Sequence, residues 1–471
     1  MFETERRRTW RDSKTVKVVG VGILVLLLLI PLAMVRGLVS ERQERQQSVE
    51  KELAAVWGAA QTVGGPVLSI PYDSLCEVQT TAANGQVVSS FQPCEKLGHF
   101  LPETLSIEGP VTPEVRSRGI FDVVVYRTDL RLQGTFAPPR FEDLSTDAAL
   151  GSGPVGNVHW ERASVGIGIP DLRGIRGRVD LEWQGRRVPF APGVADPGLW
   201  ASGLRAPLRL DGAAGKPAAG GRFPFSMTVS LAGSSDLRVQ PFGRQTRLAL
   251  RSSWASPSFS GAFLPETRRV GKDGFEATWN VSYYGRSFPQ AWSSAQTTSL
   301  APAIAGSSFG VDFVQPVDVY QQTERSVKYG ALFLVLTFVT FFLFELFQPV
   351  RVHPVQYLMV GFALCLFYVL LLSIAEQLAF GVAYLVAGGA TVALLGAYAA
   401  AVLRGTKRAA IFSLVLGLLY GYLYVLLQAE DYALLLGSVG LFLILALVML
   451  ITRRVDWYGM AGAAEAAPQE G

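Results

Sequence analysis

The last third of the chain limits its fold more than any other stretch. Five apolar runs follow one another there, at residues 329–344, 355–375, 378–403, 409–429 and 432–451, and none contains Asp, Glu, Lys, Arg or His. Four of them reach the roughly 20 apolar residues needed to cross a hydrocarbon core about 30 Å thick. The first is shorter, but Leu346 and Phe347 extend it past a single acid, Glu345. Connections of a few residues force neighbouring helices to run antiparallel, so the block reads as a polytopic membrane bundle. Hydrophobic residues at 50% and charged residues at 17% are too greasy for an ordinary soluble chain and too polar for one that lies wholly in a membrane.

A sixth span stands apart. Residues 1–17 carry Arg6, Arg7, Arg8, Arg11, Lys14 and Lys17, and an uncharged, mostly aliphatic run follows at 18–35. No small-x-small cleavage site follows it, and the run is long for a signal peptide, so it reads as an uncleaved signal anchor. Lys and Arg near the span ends set the orientation. Arg351, then Arg404, Lys407 and Arg408, then Arg453 and Arg454 fall on the same side as the basic N-tail, whereas the opposite turns carry Glu376, and Glu430 with Asp431. Arg36, Arg325 and Lys328 dissent mildly. Both termini are therefore expected inside, with roughly 40–326 outside, in the periplasm if the cell is Gram-negative.

Residues 40–61 have helical periodicity. Val49, Leu53, Val56, Trp57 and Ala60 share one face, and Glu41, Arg42, Glu44, Arg45, Glu50, Lys51 and Glu52 occupy the rest. A juxtamembrane helix over 40–63 is expected, continuing the first span and packing as a stalk. From 64 to 326 the texture changes to short alternating runs broken by Gly, Pro, Asn and Asp. Residues 121–136 alternate through Val123, Val125, Arg127, Asp129 and Arg131, and 164–169, 178–183, 223–231, 246–254 and 275–284 behave alike. This is the signature of an all-β sandwich or barrel, either one elaborated domain or two lobes with a break near 212–221. The expected architecture is a membrane α-helical bundle of six transmembrane helices with a large β-rich periplasmic domain inserted between helix 1 and helix 2. The layout is an anchor at 1–39, the stalk, the β-domain, a five-helix block at 327–452 and a tail at 453–471.

Cys76 and Cys94 lie in the external region, where an oxidising compartment permits a disulfide; two separately buried thiols are the alternative. Cys365, inside a span, reads as a small apolar packing residue. Gly437-Ser438-Val439-Gly440 lacks a base within the spans, and Gly212-Ala213-Ala214-Gly215-Lys216 lacks the spacing of a phosphate loop. His99, His159 and His353 are scattered without metal-ligand spacing. No catalytic residue, metal site or cofactor is expected, and no nucleic-acid partner. Gly389, Ala393, Ala397 and Ala401 repeat at four-residue spacing, and Gly417/Gly421 form a G-x-x-x-G pair. Such stripes let helices pack closely, here with packing inside the chain favoured over a homo-oligomer. Glu345 sits near Arg351 and His353, which points to an interfacial ion pair rather than ion coupling. Glu376, Gln428, Glu430 and Asp431 end spans at the outer surface, as solvated turn residues or as a polar rim receiving the β-domain.

Several segments are distinctive. They are Lys328-Tyr329-Gly330-Ala331-Leu332-Phe333, Phe344-Glu345-Leu346, His353-Pro354-Val355-Gln356-Tyr357, Leu419-Tyr420-Gly421-Tyr422-Leu423-Tyr424, Gln428-Ala429-Glu430-Asp431-Tyr432-Ala433-Leu434-Leu435 and Thr452-Arg453-Arg454-Val455-Asp456-Trp457-Tyr458. With Trp57-Gly58, Gly65-Pro66-Val67-Leu68, Pro257-Ser258-Phe259-Ser260-Gly261 and Phe263-Leu264-Pro265, they cover most of the chain, which closely resembles the CreD family of bacterial inner-membrane proteins. The resemblance implies a role in cell-envelope integrity, in a family linked to a two-component stress response that includes β-lactam challenge. It carries over no catalytic residue. The reading is a non-enzymatic inner-membrane protein whose periplasmic domain binds an envelope partner. The rival is a transporter-like component, against which stand the absence of an obvious inverted repeat and of mid-bilayer charge.

Overall fold

The computed structural model describes residues 14–81, 87–144, 154–210, 221–315, 319–347, 352–403, 405–429 and 432–453. The chain forms two compact units, Met1–Gln46 with Val317–Gly471, and Gln47–Pro316. Helix α1 (Lys14–Trp57) is one uninterrupted element of 44 residues, Pro31 included, so the apolar span and the charged stretch after it are a single rod. It stops at Trp57, short of the expected end near residue 61. Gly58 takes φ +142°, and a Cβ there would meet the Ala232 carbonyl oxygen at 2.5 Å, so only glycine lets the chain turn away at that point. Arg173 then donates to the Ala55 carbonyl at 2.5 Å and Arg176 to the Trp57 carbonyl at 3.1 Å, cations capping the negative end of the helix. The expected apolar stripe is only partly used. Val49 is buried and Leu53 and Trp57 are half-buried, but Val56 is 81% exposed.

The second unit is built on strands in two sheets. In chain order they are β1 (Gln61–Thr81), β2 (Val87–Phe100), β3 (Thr104–Arg118), β4 (Phe121–Phe136), β5 (Ser164–Gly168), β6 (Asp180–Trp183), β7 (Arg186–Pro189), β8 (Ala191–Pro192), β9 (Gly203–Pro207), β10 (Phe223–Ser234), β11 (Asp236–Val239), β12 (Gln245–Ser252), β13 (Pro257–Gly261), β14 (Thr267–Gly271), β15 (Gly274–Ser282), β16 (Ala291–Ser293) and β17 (Phe309–Phe313). A short helix α2 (Thr297–Gly306) precedes the last strand. The first sheet runs β13-β17-β11-β1-β5-β9-β8, with β2 and β16 branching from β1. The second runs β14-β15-β12-β3-β4-β10-β6-β7. Strands from before and after residues 212–221 alternate in both, as where β4 pairs with β10 and β1 with β11. That interleaving overturns the two-lobe alternative: the break is a connection within one body, and residues 211–220 lie outside the described residues.

Alternation explains the packing. On β4, Leu130 and Leu132 point into the shared core, and Arg127, Asp129 and Arg131 point out. Val123 and Val125 belong by parity to the outward face yet are buried. There the last turns of α1 lie against the sheet, held by a 2.9 Å Glu52–Arg118 ion pair and by Arg116 and Arg127 over the Trp57 indole at 4.5 and 5.0 Å. The core is rich in aromatic rings: Trp279 stands 5.6 Å from Phe259 and 6.0 Å from Phe309, and Phe136 packs on Trp183 and Phe225. Cys76 and Cys94 are bonded across the β1–β2 ladder.

The first unit comprises the membrane part of α1, α3 (Val319–Lys328), α4 (Gly330–Phe347), α5 (Pro354–Ala375), α6 (Phe380–Val402), α7 (Thr406–Gln428) and α8 (Ala433–Thr452). Among the described residues six helices, α1 and α4 to α8, are long and apolar enough to cross a membrane. A knot of rings from α4 to α7 fills their centre, with Phe367 4.7 Å from Tyr420 and 5.6 Å from Tyr384, and Phe333 5.4 Å from Tyr420. Tyr384 donates to the Tyr420 carbonyl at 2.8 Å, joining α6 to α7.

Candidate functional site

Close helix approach occurs where the sequence did not point. Gly389, Ala393, Ala397 and Ala401 all face outward, nothing lies within 4 Å of a Cβ built on Gly389, Gly417 or Gly421, and the expectation that these stripes pack inside the chain is not met. The buried face of α6 carries Ala383, Tyr384, Ala387, Gly388, Thr391, Leu395 and Ala399 instead. The tight seam is between α1 and the block. A Cβ on Gly330 would meet Leu32 at 2.7 Å, one on Gly361 would collide with Leu28, and the Cys365 thiol lies 3.9 Å from the Leu28 carbonyl. Gly361→Ile is therefore expected to cost about 1–3 kcal/mol by overpacking, read as a lower thermal unfolding midpoint in detergent. Gly389→Ile should leave the midpoint unchanged; equal effects would refute the seam.

Two acids of this unit, Glu345 and Glu376, are tied down at helix ends. Glu345 accepts from the Tyr357 hydroxyl at 3.2 Å and from the Val352 amide at 3.3 Å. Arg351, its expected partner, lies outside the described residues, while the His353 ring accepts from the Val355 amide and caps α5. Glu376, 13% exposed, ends α5 and receives the Tyr320 hydroxyl of α3 at 3.3 Å, with Arg42 of α1 at 3.7 Å. It is a brace between three helices rather than a solvated turn residue. Gln428 is exposed, and Glu430 and Asp431 lie outside the described residues.

The second unit holds a polar cluster that sequence reasoning missed. Strand register sets Ser69 of β1 and Trp292 of β16 directly opposite His99 of β2. The buried His99 ring makes one bond of 2.9 Å from Nδ1 to the Ser69 hydroxyl and another of 3.0 Å from Nε2 to Asp196. Asp196 also accepts from Thr297 at 2.7 Å and from the Gly198 amide at 2.9 Å. Burial works to raise the Asp196 pKa, but the bonds from His99 and Thr297 outweigh it and hold the carboxyl below its usual value. An ionised Asp196 accepts from Nε2–H, and in the neutral ring Nδ1 then accepts from the Ser69 hydroxyl. The serine thus donates to the ring nitrogen opposite the one a hydrolase would use, and both Ser69 and His99 are shut in the core. The cluster joins β1, β2, the 196–198 loop and the start of α2. It is a brace, and partners 30 and 97 residues from His99 left no local signal. His159 pairs separately with Asp73 at 3.0 Å. Among the described residues no group of three or more His, Cys, Asp or Glu is placed to hold a metal ion.

Six apolar helices, one before and five after a large β-sandwich, match the architecture expected of a CreD-type chain. Residues 13–458 match the CreD family, described as inner membrane protein CreD. The chain belongs to the CreD family. It is 34% identical to the inner membrane protein CreD of Escherichia coli (strain K12) over 437 residues, which is 93% of this chain and 92% of that protein. As a CreD-family member it is a multi-pass inner-membrane protein, and the motifs quoted from its spans and its tail lie within the matched range.

Proposed function

We propose that this CreD-family chain maintains the cell envelope under stress, as a non-enzymatic protein whose β-sandwich faces the periplasm and binds an envelope partner. Both termini then lie in the cytosol. One observation carries the reading: the two acids described at the ends of the C-terminal spans serve as ties, with Glu345 held by Tyr357 and Val352, and Glu376 by Tyr320 and Arg42. A coupled transporter needs acids that load and release an ion near mid-membrane. Glu345→Gln keeps the acceptor for Tyr357 and is expected to leave envelope function in a complementation assay near the parent level. Abolished function would instead favour transport.

Orientation has its own test. An enzyme reporter that folds only outside the cytosol, fused near residue 200, is expected to be active. Activity solely from a cytosolic reporter at that position would overturn the periplasmic placement. Crosslinking of the full chain in intact cells is expected to capture a defined envelope component on the β-sandwich.

A further inference from the structure

The β1–β2 ladder outruns the sheet that carries it. It extends from Leu68↔Phe100 to Thr81↔Val87, yet β5 pairs with β1 only as far as Ser69, and β16 pairs with β2 only over 98–100. The segment before β5 lengthens the support a little. It bridges Tyr72 through Val158, bonds the Asp73 backbone at 2.9 and 2.7 Å, and pairs Arg162 with Glu95. Past those rungs, among the described residues, no other strand pairs with β1 or β2. From Leu75↔Pro93 onward the two strands form a ribbon about 20 Å long.

Such a ribbon is marginal by itself, because two strands alone in water are barely stable. The sandwich interior does not help it. The buried apolar cluster includes Tyr72 and resumes at Phe100, with no residue between them, so ribbon and core do not depend on each other for packing. On the outward face the rungs Leu75↔Pro93 and Glu77↔Phe91 are exposed, Phe91 by 70%. On the other face Cys94 stands opposite Ser74 and Cys76 opposite Gln92. The disulfide therefore joins adjacent rungs diagonally, at the point where support from the sheet ends. Both cysteines are half-buried, which leaves the bond within reach of a small thiol.

We propose that the Cys76–Cys94 bond is a redox-sensitive clasp that decides whether this ribbon is a structured element. Oxidised, it holds the ribbon together and presents Leu75, Phe91 and Pro93 on a fixed outward face. Reduced, it lets the ribbon open while the sandwich stays folded. The reductant is a dithiol. One of its thiolates attacks a cysteine sulfur as the S–S bond breaks, and the other then resolves the mixed disulfide. Two electrons and the two thiol protons pass to the cysteines, and the dithiol leaves as a disulfide. Cys365, buried in a span, takes no part. The test is hydrogen exchange of the full chain in detergent, before and after dithiothreitol, with alkylation to mark the sulfurs released at Cys76 and Cys94. Peptides within 74–81 and 87–94 should exchange about 100-fold faster on reduction, the loop-closure effect of a crosslink between residues 18 apart. Peptides from β4, β10 and β12 should keep their rates, and reoxidation should restore protection to the ribbon. The double variant Cys76→Ser, Cys94→Ser should match the reduced parent and ignore dithiothreitol. A ribbon that stays protected in the reduced parent or in the double variant would overturn the proposal. So would faster exchange throughout the sandwich, or protection that does not return on reoxidation.

Discussion

Trp279→Ala is expected to lower the stability of the β-sandwich by about 3–5 kcal/mol, the cost of emptying a large aromatic site in a close-packed core. The indole, on β15 of the second sheet, is fully buried, donates from Nε1 to the Phe263 carbonyl at 3.2 Å, and packs against Phe259 and Phe309 on neighbouring strands of the first sheet. Truncation leaves a cavity and an orphaned carbonyl together. The measurement is the thermal midpoint of the β-sheet circular dichroism signal, for the full chain in detergent. Trp254→Ala provides the comparison, because that indole is only half-buried and bonds the Ser256 and Val314 carbonyls near the rim. A loss at Trp279 no larger than at Trp254 would mean the core is misassigned.

Asp196→Ala should be the second large effect, at about 2–4 kcal/mol, because it strands the buried His99 Nε2 proton and removes the acceptor for Thr297. Asp196→Asn keeps an acceptor oxygen and should cost less. The pH dependence has a definite sign. Asp196 titrates below its unfolded value, so its contribution is complete above the ordinary carboxylate pKa of about 3.9 and disappears as pH falls through the lower folded value. Parent and Asp196→Asn unfolding curves should therefore stay apart from neutral pH down to about 4 and converge only in stronger acid. Convergence already near pH 6 would mean that Asp196 is not the ionised partner of His99.

Local pattern made much of the fold legible. The alternating run at 121–136 is β4 over the same residues, and the runs beginning at 164, 223, 246 and 275 became β5, β10, β12 and β15 to within one residue at their starts. The spans were legible because lipid demands apolar side chains for a full crossing. What failed depended on direction or distance. Four-residue spacing finds a small-residue stripe on α6 but carries no sign of which way it faces, and Gly389 faced outward. Gly361 was overlooked because its partner, Leu28, is far away in the sequence. The Ser69–His99–Asp196 brace likewise exists only through strand register, which no single stretch encodes.

The order of strands in the first sheet also has a consequence in time. β17, the last strand to be synthesised, lies between β13 and β11, and β11 runs parallel to the very first strand. Until residue 313 has emerged, β11 has a vacant flank and Phe309 is missing from the interior. Such long-range closure is slow compared with hairpin formation. Synthesis must therefore deliver nearly the whole polar middle unfinished, and a ribosome stalled anywhere in that stretch would leave a sticky, protease-sensitive segment.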